Sequence, residues 1–283
     1  MTYPDGLVEA LSRVGVSPDD LVVQPTSGRR RPVLRLTAGK VIVDLAQDPR
    51  GHHLNLLELN GRRWAEREGL PTAPLLAGDL EAGGWLVGAL VPLVPATGAQ
   101  YVAEALEVAA RLARCAPAGG GPVATSWRAP RRTLPLRVLR LVAAGIRPLE
   151  FAAVRSAASR LPRAAVAHND YTFRNVLLDA DGGVRLVDWE YLGAGPCYGD
   201  ELRLWTTLKD PADRALVLEH LLRPLSPRTR ADVGLLALWL ALRLHAENAA
   251  APRVEQNALD RRHAAAMVQE ARQLAARLGA WPR

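Results

Sequence analysis

Polar side chains of the types used in phosphate chemistry lie between positions 168 and 190. Asp170 is followed by Arg174 and Asn175, and Asp188 comes 13 residues after Asn175. Phosphoryl transfer to a hydroxyl needs a carboxylate that orients the hydroxyl, oxygen ligands for Mg²⁺, and positive charge for the γ-phosphate. Asp170 could orient the hydroxyl and Arg174 could steady the phosphate. Asn175 and Asp188 could hold the metal.

A β-hairpin is predicted to bring these side chains together. The short aliphatic runs 176–178 and 184–187 flank the segment 179–183, which reads Asp-Ala-Asp-Gly-Gly and suits a tip with positive φ. Because a hairpin joins its two ends, Asp170 and Asn175 on one side should meet Asp188 on the other. The sequence therefore predicts a magnesium-dependent phosphotransfer centre.

The order of these residues is similar to that of a known superfamily. His168-x-Asp170-x-x-x-x-Asn175, followed by Asp188-Trp189-Glu190, resembles the aminoglycoside phosphotransferases and choline kinases, relatives of the protein kinases. The resemblance implies an α+β, two-lobed protein-kinase-like fold. Residues 1–92 would form an N-lobe with a small antiparallel β-sheet and one main helix. Residues 93–283 would form a larger, mostly helical C-lobe with the catalytic loop and the acceptor site.

The same resemblance implies roles for three further residues near the catalytic loop. Asp200 fits the acidic residue that braces the loop from behind, and His168 would anchor the loop through hydrogen bonds without transferring a proton. Glu190 would contact a second metal, with an exposed surface acid as the alternative interpretation.

Nucleotide contacts are implied in the N-terminal part of the chain. Ser27 and Gly28 lie where the family keeps the loop over the ATP phosphates, and an ordinary exposed turn is the alternative. Ala89 and Val91 lie in the segment 85–92, which the resemblance makes a strand and hinge giving backbone donors and acceptors to adenine. A plain core strand is the alternative there.

One family residue is replaced in this chain. Glu58 matches the helix glutamate that should pair with a strand-3 lysine, but the aligned position holds Asp44. Two facing carboxylates would repel each other and could not neutralise the nucleotide phosphates. Arg35 on the adjacent strand, or the arginines at 29–31, are the predicted substitutes. A degraded nucleotide site, and hence a catalytically weak kinase-like binding module, is the alternative.

Composition narrows the function classes. The net charge of +7 comes from arginine, since lysine occurs only at positions 40 and 209, and no basic helix interleaved with aromatics indicates nucleic-acid binding. Two cysteines are too few for a disulfide framework or a zinc site. The longest apolar run, 233–242, is about half of the ~20 residues that a bilayer span needs. The N-terminus lacks the features of a signal peptide, so we expect a cytoplasmic protein without membrane or nucleic-acid partners.

Helical periodicity predicts most of the remaining chain as helices, at about 6–14, 54–69, 99–114, 135–145, 148–160, 200–208, 212–223, 229–247 and 255–278. Trp205 and Trp239 are predicted core residues, because large aromatics usually serve packing. The alternative is an acceptor pocket that these tryptophans would line with Tyr191 or Tyr198.

The predicted function is Mg²⁺-dependent transfer of the γ-phosphate of ATP or GTP to a hydroxyl. The acceptor would be an aminoglycoside-like antibiotic, an amino alcohol or a similar metabolite. A protein kinase is disfavoured because the chain contains no Asp-Phe-Gly or Ala-Pro-Glu segment for an activation loop.

Overall fold

A computed structural model describes residues 3–24, 33–90, 97–115, 139, 142–143, 145–179, 181–249 and 256–280. The chain divides into two compact units. The first contains the described residues up to Leu90 together with Asn175–Leu192, and the second contains the described residues of 97–174 and those from Gly193 onward. The lobe boundary near residue 92 stays a prediction, and each unit is described by itself.

The first unit is built on a five-stranded antiparallel sheet with the strand order β1-β2-β3-β5-β4. The strands are β1 (Val22–Val23), β2 (Val33–Ala38), β3 (Val41–Ala46), β4 (Leu75–Gly78) and β5 (Trp85–Ala89). Helix α1 (Asp5–Arg13) and helix α2 (Pro49–Arg67) accompany the sheet. A separate hairpin of β7 (Val176–Leu178) and β8 (Val184–Leu186) belongs to the same unit.

Packing in the first unit follows from the alternation of side chains in its strands. Leu36 of β2 lies opposite Val43 of β3, and both are fully buried with Leu7 and Leu11 of α1. Arg35, just before Leu36, and Asp44, just after Val43, form the adjacent cross-strand pair. The register of β2 and β3 therefore sets a charged pair beside an apolar core.

Helix α2 begins five residues earlier than predicted. The Asp48 side chain accepts a hydrogen bond from Gly51 N–H at 2.9 Å, and Pro49 occupies the first helical position. Proline suits that position because its missing N–H would have no partner there. The helix ends before Gly69, which has φ 65°. Capping chemistry, rather than apolar spacing, thus set the true start of the helix.

The second unit is mostly helical. Its helices are α3 (Ala99–Arg114), α4 (Pro148–Arg160), α5 (Gly199–Thr207), α6 (Pro211–Leu222), α7 (Pro227–Ala249) and α8 (Gln256–Arg277). Strands β6 (Arg163–Ala167) and β9 (Gly193–Pro196) pair antiparallel. The predicted helix at 135–145 falls largely outside the described residues.

The core of the second unit contains the predicted aromatic residue Trp205, which is fully buried. Trp239 is partly buried and packs against the Phe151 ring, with centroids 6.3 Å apart. The packing interpretation is therefore confirmed for Trp205. Every helix among the described residues is too short or too polar to cross a bilayer.

Candidate active site

Asp200 fixes the backbone of the loop that precedes Asp170. Its carboxylate accepts hydrogen bonds from His168 N–H at 2.7 Å and from Asn169 N–H at 2.8 Å. Asn169 has φ 63°, in the left-handed region. Its side-chain amide donates to the carbonyls of Ala167 and Gly193, each at 3.2 Å. Asp200 thus makes the bracing contacts that the family resemblance implied.

The bracing carboxylate lies in a fully buried environment. Burial raises the pKa of Asp200 to about 6, although the nearby His168 and the two backbone N–H groups act in the opposite direction. His168 is also fully buried, and its ring lies edge-on to Tyr171 at a centroid distance of 6.0 Å. The Tyr171 hydroxyl donates to the carbonyl of Ala105 at 2.6 Å. The loop is thus anchored on both sides of Asp170.

Asp170 itself contacts a buried arginine. Arg203 Nη2 lies 3.1 Å from Asp170 Oδ1 and 2.9 Å from Glu247 Oε2. Neither Arg203 nor its sharing of two carboxylates was predicted from the sequence. The helical spacing from Asp200 to Arg203, which places both on one face of α5, is the signal that could have found it.

Arg174, predicted to steady the phosphate, contacts an acid on helix α8. Its Nη2 donates to Asp260 Oδ2 at 2.5 Å, and its side chain is 64% exposed. Lys209 Nζ donates to the other oxygen of Asp260 at 2.9 Å. A phosphate contact by Arg174 would require this exposed ion pair to open, which costs little because such pairs are weak.

In the first unit, the predicted hairpin brings Asn175 to the segment that carries Asp188. The β7–β8 register pairs Val176 with Leu186, and one step further Val187 N–H donates to the carbonyl of Asn175 at 3.0 Å. Gly182 at the tip has φ 81°, as the turn sequence indicated. The two predicted metal ligands therefore emerge at the same end of one hairpin.

The backbone at Asp188 is held in the left-handed region, with φ 60°. The next residue, Trp189, is fully buried, and its indole N–H donates to Thr72 Oγ1 at 2.8 Å. Gly61 of α2 packs against it so closely that an added Cβ would lie 2.7 Å from Trp189 Cβ. Trp189 thus holds an unfavourable backbone conformation in place, and Gly61 is a supporting position that the sequence did not reveal.

A small polar cavity of about 210 Å³ lies in the first unit. Its lining residues come from β2, β3, α2 and the segment after β8, and they are Val33, Arg35, Asp44, Leu54, Asn55, Glu58, Asp188 and Glu190. Asp44 and Glu58, which occupy the positions of the family lysine–glutamate pair, thus line the same cavity as the predicted metal ligand Asp188.

Arg35 supplies the positive charge of this cavity. It donates to Asp44 through Nε to Oδ1 at 2.7 Å and through Nη2 to Oδ2 at 2.9 Å. The same Nη2 lies 3.6 Å from Asp188 Oδ1. The hydrogen bond to Asp44 raises the pKa of Arg35 against the opposing effect of burial, so the guanidinium stays charged. The predicted substitute cation is therefore placed beside both carboxylates.

The expected clash of Asp44 with Glu58 is relieved in a way that the sequence analysis missed. Glu58 accepts a hydrogen bond from Arg62 Nε at 2.6 Å, one turn further along α2, and both side chains are buried. Burial, together with Asp188 and Asp44, raises the pKa of Glu58 against the opposing effect of Arg62. Each carboxylate thus has its own arginine. The i,i+4 spacing of Glu58 and Arg62 was the available signal.

Of the four remaining predicted nucleotide contacts, the structure describes only Ala89. Ser27, Gly28 and Val91 lie outside the described residues. Ala89 ends β5, and its N–H donates to the carbonyl of Pro74 at 2.9 Å. A contact from Ala89 to a base would therefore use its carbonyl oxygen.

Asn175 and Asp188 at the end of the hairpin fit a magnesium ion whose remaining ligands are nucleotide phosphates and water. Within the described ranges, no group of three or more His, Cys, Asp and Glu side chains is arranged as a metal cage. Mg²⁺ does not require one, because it binds through one or two carboxylates plus phosphate and water. The Asp188 side chain is 40% exposed and offers such a carboxylate beside Asn175.

Comparison with known proteins identifies the family and the fold. The model of the phosphotransferase enzyme family matches residues 22–245. A choline/ethanolamine kinase family protein from Mesorhizobium loti is 18% identical, with 97% of this chain and 98% of that chain covered and a TM-score of 0.61. No curated protein sequence gives a significant match.

Two antibiotic-modifying enzymes share the same architecture. A macrolide 2′-phosphotransferase from Brachybacterium faecium is 15% identical, with 94% of this chain and 98% of that chain covered and a TM-score of 0.56. A spectinomycin phosphotransferase in complex with ADP and spectinomycin is 11% identical, with 99% of each chain covered and a TM-score of 0.59. The chain thus has the two-lobed, protein-kinase-like α+β fold that the sequence predicted.

Proposed function

This chain belongs to the phosphotransferase enzyme family, and from that premise we propose that it transfers the γ-phosphate of ATP or GTP to a hydroxyl of a small molecule. The observation that carries the proposal is the double hydrogen bond of Asp200 to the backbone of His168 and Asn169. This contact fixes the loop immediately before Asp170, the carboxylate that the chemistry requires next to the acceptor hydroxyl.

Asp170 and Arg174 each have one role in the transfer step. Asp170 orients the acceptor hydroxyl and accepts its proton as the hydroxyl oxygen bonds to the γ-phosphorus. The bond from that phosphorus to the bridging oxygen breaks, and the nucleoside diphosphate leaves with the electron pair. Arg174 exchanges Asp260 for the transferring phosphoryl group and offsets its charge.

Magnesium would be held by Asn175 and Asp188 and would neutralise charge on the nucleotide phosphates. Arg35 lies 3.6 Å from Asp188 and is the cation proposed to take the place of the family lysine toward the α- and β-phosphates. A guanidinium suits this role because it can contact a carboxylate and a phosphate at the same time. Ala89, Val91, Ser27 and Gly28 stay as proposed nucleotide contacts.

The acceptor is proposed to be an aminoglycoside-like antibiotic, an amino alcohol or a similar metabolite. Support comes from the structural neighbours, which include a choline/ethanolamine kinase family protein and two antibiotic phosphotransferases. A catalytically weak binding module is the second candidate. It is favoured by one observation, that Glu58 is paired with Arg62 instead of a lysine from the sheet.

A transfer assay distinguishes the two candidates. Purified protein is incubated with Mg²⁺, ATP or GTP labelled at the γ-phosphate, and a panel of aminoglycosides, macrolides, amino alcohols and nucleosides. We expect labelled product with at least one acceptor class, and none with Asp170→Asn. Nucleotide binding without transfer to any acceptor would favour the binding module, and absence of Mg²⁺-nucleotide binding at millimolar concentration would contradict both.

A further inference from the structure

One face of helix α5 contacts the catalytic loop at successive points. Asp200, in its first turn, accepts from the N–H groups of His168 and Asn169. Thr207, at its last residue, accepts from Phe173 N–H at 3.1 Å. Residues seven apart lie on the same side of an α-helix, so a single helical face contacts both ends of the loop.

Arg203 lies between these two contacts on the same helical face. It is three residues after Asp200 and four residues before Thr207, and it is only 5% exposed. Its Nη2 donates to Asp170 Oδ1 at 3.1 Å. The face of α5 therefore reaches the Asp170 carboxylate, which is proposed to accept the hydroxyl proton, as well as the backbone on either side of it.

Arg203 donates hydrogen bonds to two carboxylates, those of Asp170 and Glu247. Its Nη2 also donates to Glu247 Oε2 at 2.9 Å, and Arg243 Nε donates to the other Glu247 oxygen at 2.6 Å. A buried guanidinium is costly unless it is paired. Burial lowers the pKa of Arg203, but Glu247 and Asp170 outweigh that effect and raise it. The group is thus a permanent buried cation in a set of two acids and two arginines.

Arg203 contacts Asp170 through one nitrogen, Nη2, and one oxygen, Oδ1. A bidentate contact would commit both oxygens of the carboxylate to the guanidinium and would compete with the acceptor hydroxyl for them. Because Glu247 shares the same Nη2, the pull of Arg203 on Asp170 is limited. Arg203 thus restrains the Asp170 carboxylate through one of its two oxygens.

We propose that Arg203 is a positioning residue for Asp170, and that Glu247 limits how strongly Arg203 holds it. The inference rests on the proposed function, since it takes Asp170 as the group that orients the acceptor hydroxyl. Arg203 touches no substrate in this scheme. It acts by fixing the rotamer of Asp170 in the geometry that transfer needs.

The first experiment compares Arg203→Met with Arg203→Lys. We expect Arg203→Met to lower kcat roughly ten- to a hundred-fold while the Kd of the Mg²⁺-nucleotide, measured by calorimetry, stays unchanged. Arg203→Lys should restore part of kcat, because it keeps the positive charge. Arg272→Met is the matched control, since it removes an arginine from the buried Glu150 in the same unit, away from the loop. That variant should lower stability and leave kcat unchanged.

A second experiment measures the contact without relying on catalysis. Arg203→Met, Asp170→Ala and the double variant are compared by urea unfolding. The double variant should lose less stability than the sum of the two single losses, because the residues interact directly. A wild type that transfers phosphate to no acceptor would refute the proposed function, and this cycle would still decide whether Arg203 holds Asp170.

Three results would overturn the inference. These are wild-type kcat in Arg203→Met, an equal loss of kcat in Arg203→Met and the Arg272→Met control, and additive stability losses in the cycle. If Arg203→Met does not fold, Glu247→Gln takes its place. It removes the negative charge that competes with Asp170 for the guanidinium and should lower kcat several-fold without changing nucleotide affinity, and an unchanged kcat would refute the sharing of Arg203.

Discussion

Replacing Arg35 by methionine should cost both stability and nucleotide affinity, for separable reasons. The change removes two charge-assisted hydrogen bonds to Asp44, of 2.7 and 2.9 Å. It leaves the buried Asp44 carboxylate, on a residue that is only 5% exposed, without this arginine partner. Removing one partner of a buried ion pair costs about 3–5 kcal/mol. The Arg35 side chain is 39% exposed, so water screens part of the interaction. We therefore expect a loss of about 2 kcal/mol, or a fall in Tm of roughly 4–8 °C.

The double variant Arg35→Met/Asp44→Leu separates the structural role of Arg35 from its proposed phosphate contact. Removing both charges leaves no unpaired carboxylate, so most of the lost stability should return. The phosphate contact would still be missing in the double variant. Both variants should therefore bind Mg²⁺-nucleotide roughly ten- to a hundred-fold more weakly than the wild type, the loss expected for one charged hydrogen bond.

Urea unfolding and calorimetric titration of Mg²⁺-ATP and Mg²⁺-GTP test both halves of this prediction. Arg13→Met is the matched control, because it removes an arginine from an exposed i,i+4 pair with Glu9 in the same unit. It should change stability by less than about 1 kcal/mol and nucleotide affinity not at all. A double variant no more stable than Arg35→Met would refute the pairing argument. Unchanged nucleotide affinity in both Arg35 variants would refute the assignment of Arg35 as the phosphate cation.

Three further perturbations test the supports of the site. Gly61→Ala should displace Trp189, whose Cβ would lie 2.7 Å from the new methyl group, and so weaken Mg²⁺-nucleotide binding, which calorimetry would detect as a higher Kd. Gly195→Ala should lower Tm and kcat together, because its Cβ would lie 2.5 Å from Asn169 Oδ1, and an unchanged kcat would contradict the tight fit of the loop. The pKa of Asp200 is raised from 3.8 to about 6 by burial, so the folded state binds more protons than the unfolded state between these values. This group therefore makes stability fall as pH rises through that window, and Asp200→Asn should remove that part of the slope in urea unfolding followed from pH 4 to 7. Parallel slopes for wild type and variant would show that Asp200 titrates normally.

Local sequence signals predicted the elements that carry the site. The aliphatic runs around Gly182 specified the β7–β8 hairpin, and its register then required Asn175 and the Asp188 segment to meet. Helices α3 and α4 have the predicted bounds, because apolar spacing and flanking breakers both mark their ends. Asp200 was identified from the resemblance to the phosphotransferase and choline kinase superfamily and not from any local preference.

The charged pairs of the site were harder to predict, because they depend on which elements pack together. Arg35 was identified as a substitute cation, but its bidentate contact with Asp44 follows from strand register, which a shift of one residue would abolish. Arg203 reaches Asp170 only through the packing of α5 on the loop. Gly61 was missed because a close approach to Trp189, 128 positions later in the chain, leaves no pattern in the residues around it.

The central claim is most directly tested by measuring phosphate transfer and nucleotide binding on the same two variants, Asp170→Asn and Asp188→Asn. Asp170→Asn should bind Mg²⁺-nucleotide like the wild type and transfer no phosphate in a single turnover with any acceptor that the wild type uses. Asp188→Asn should lose the Mg²⁺-dependent part of nucleotide binding itself. Wild-type transfer by Asp170→Asn, or unchanged Mg²⁺-dependent binding by Asp188→Asn, would contradict the assignment of these two carboxylates.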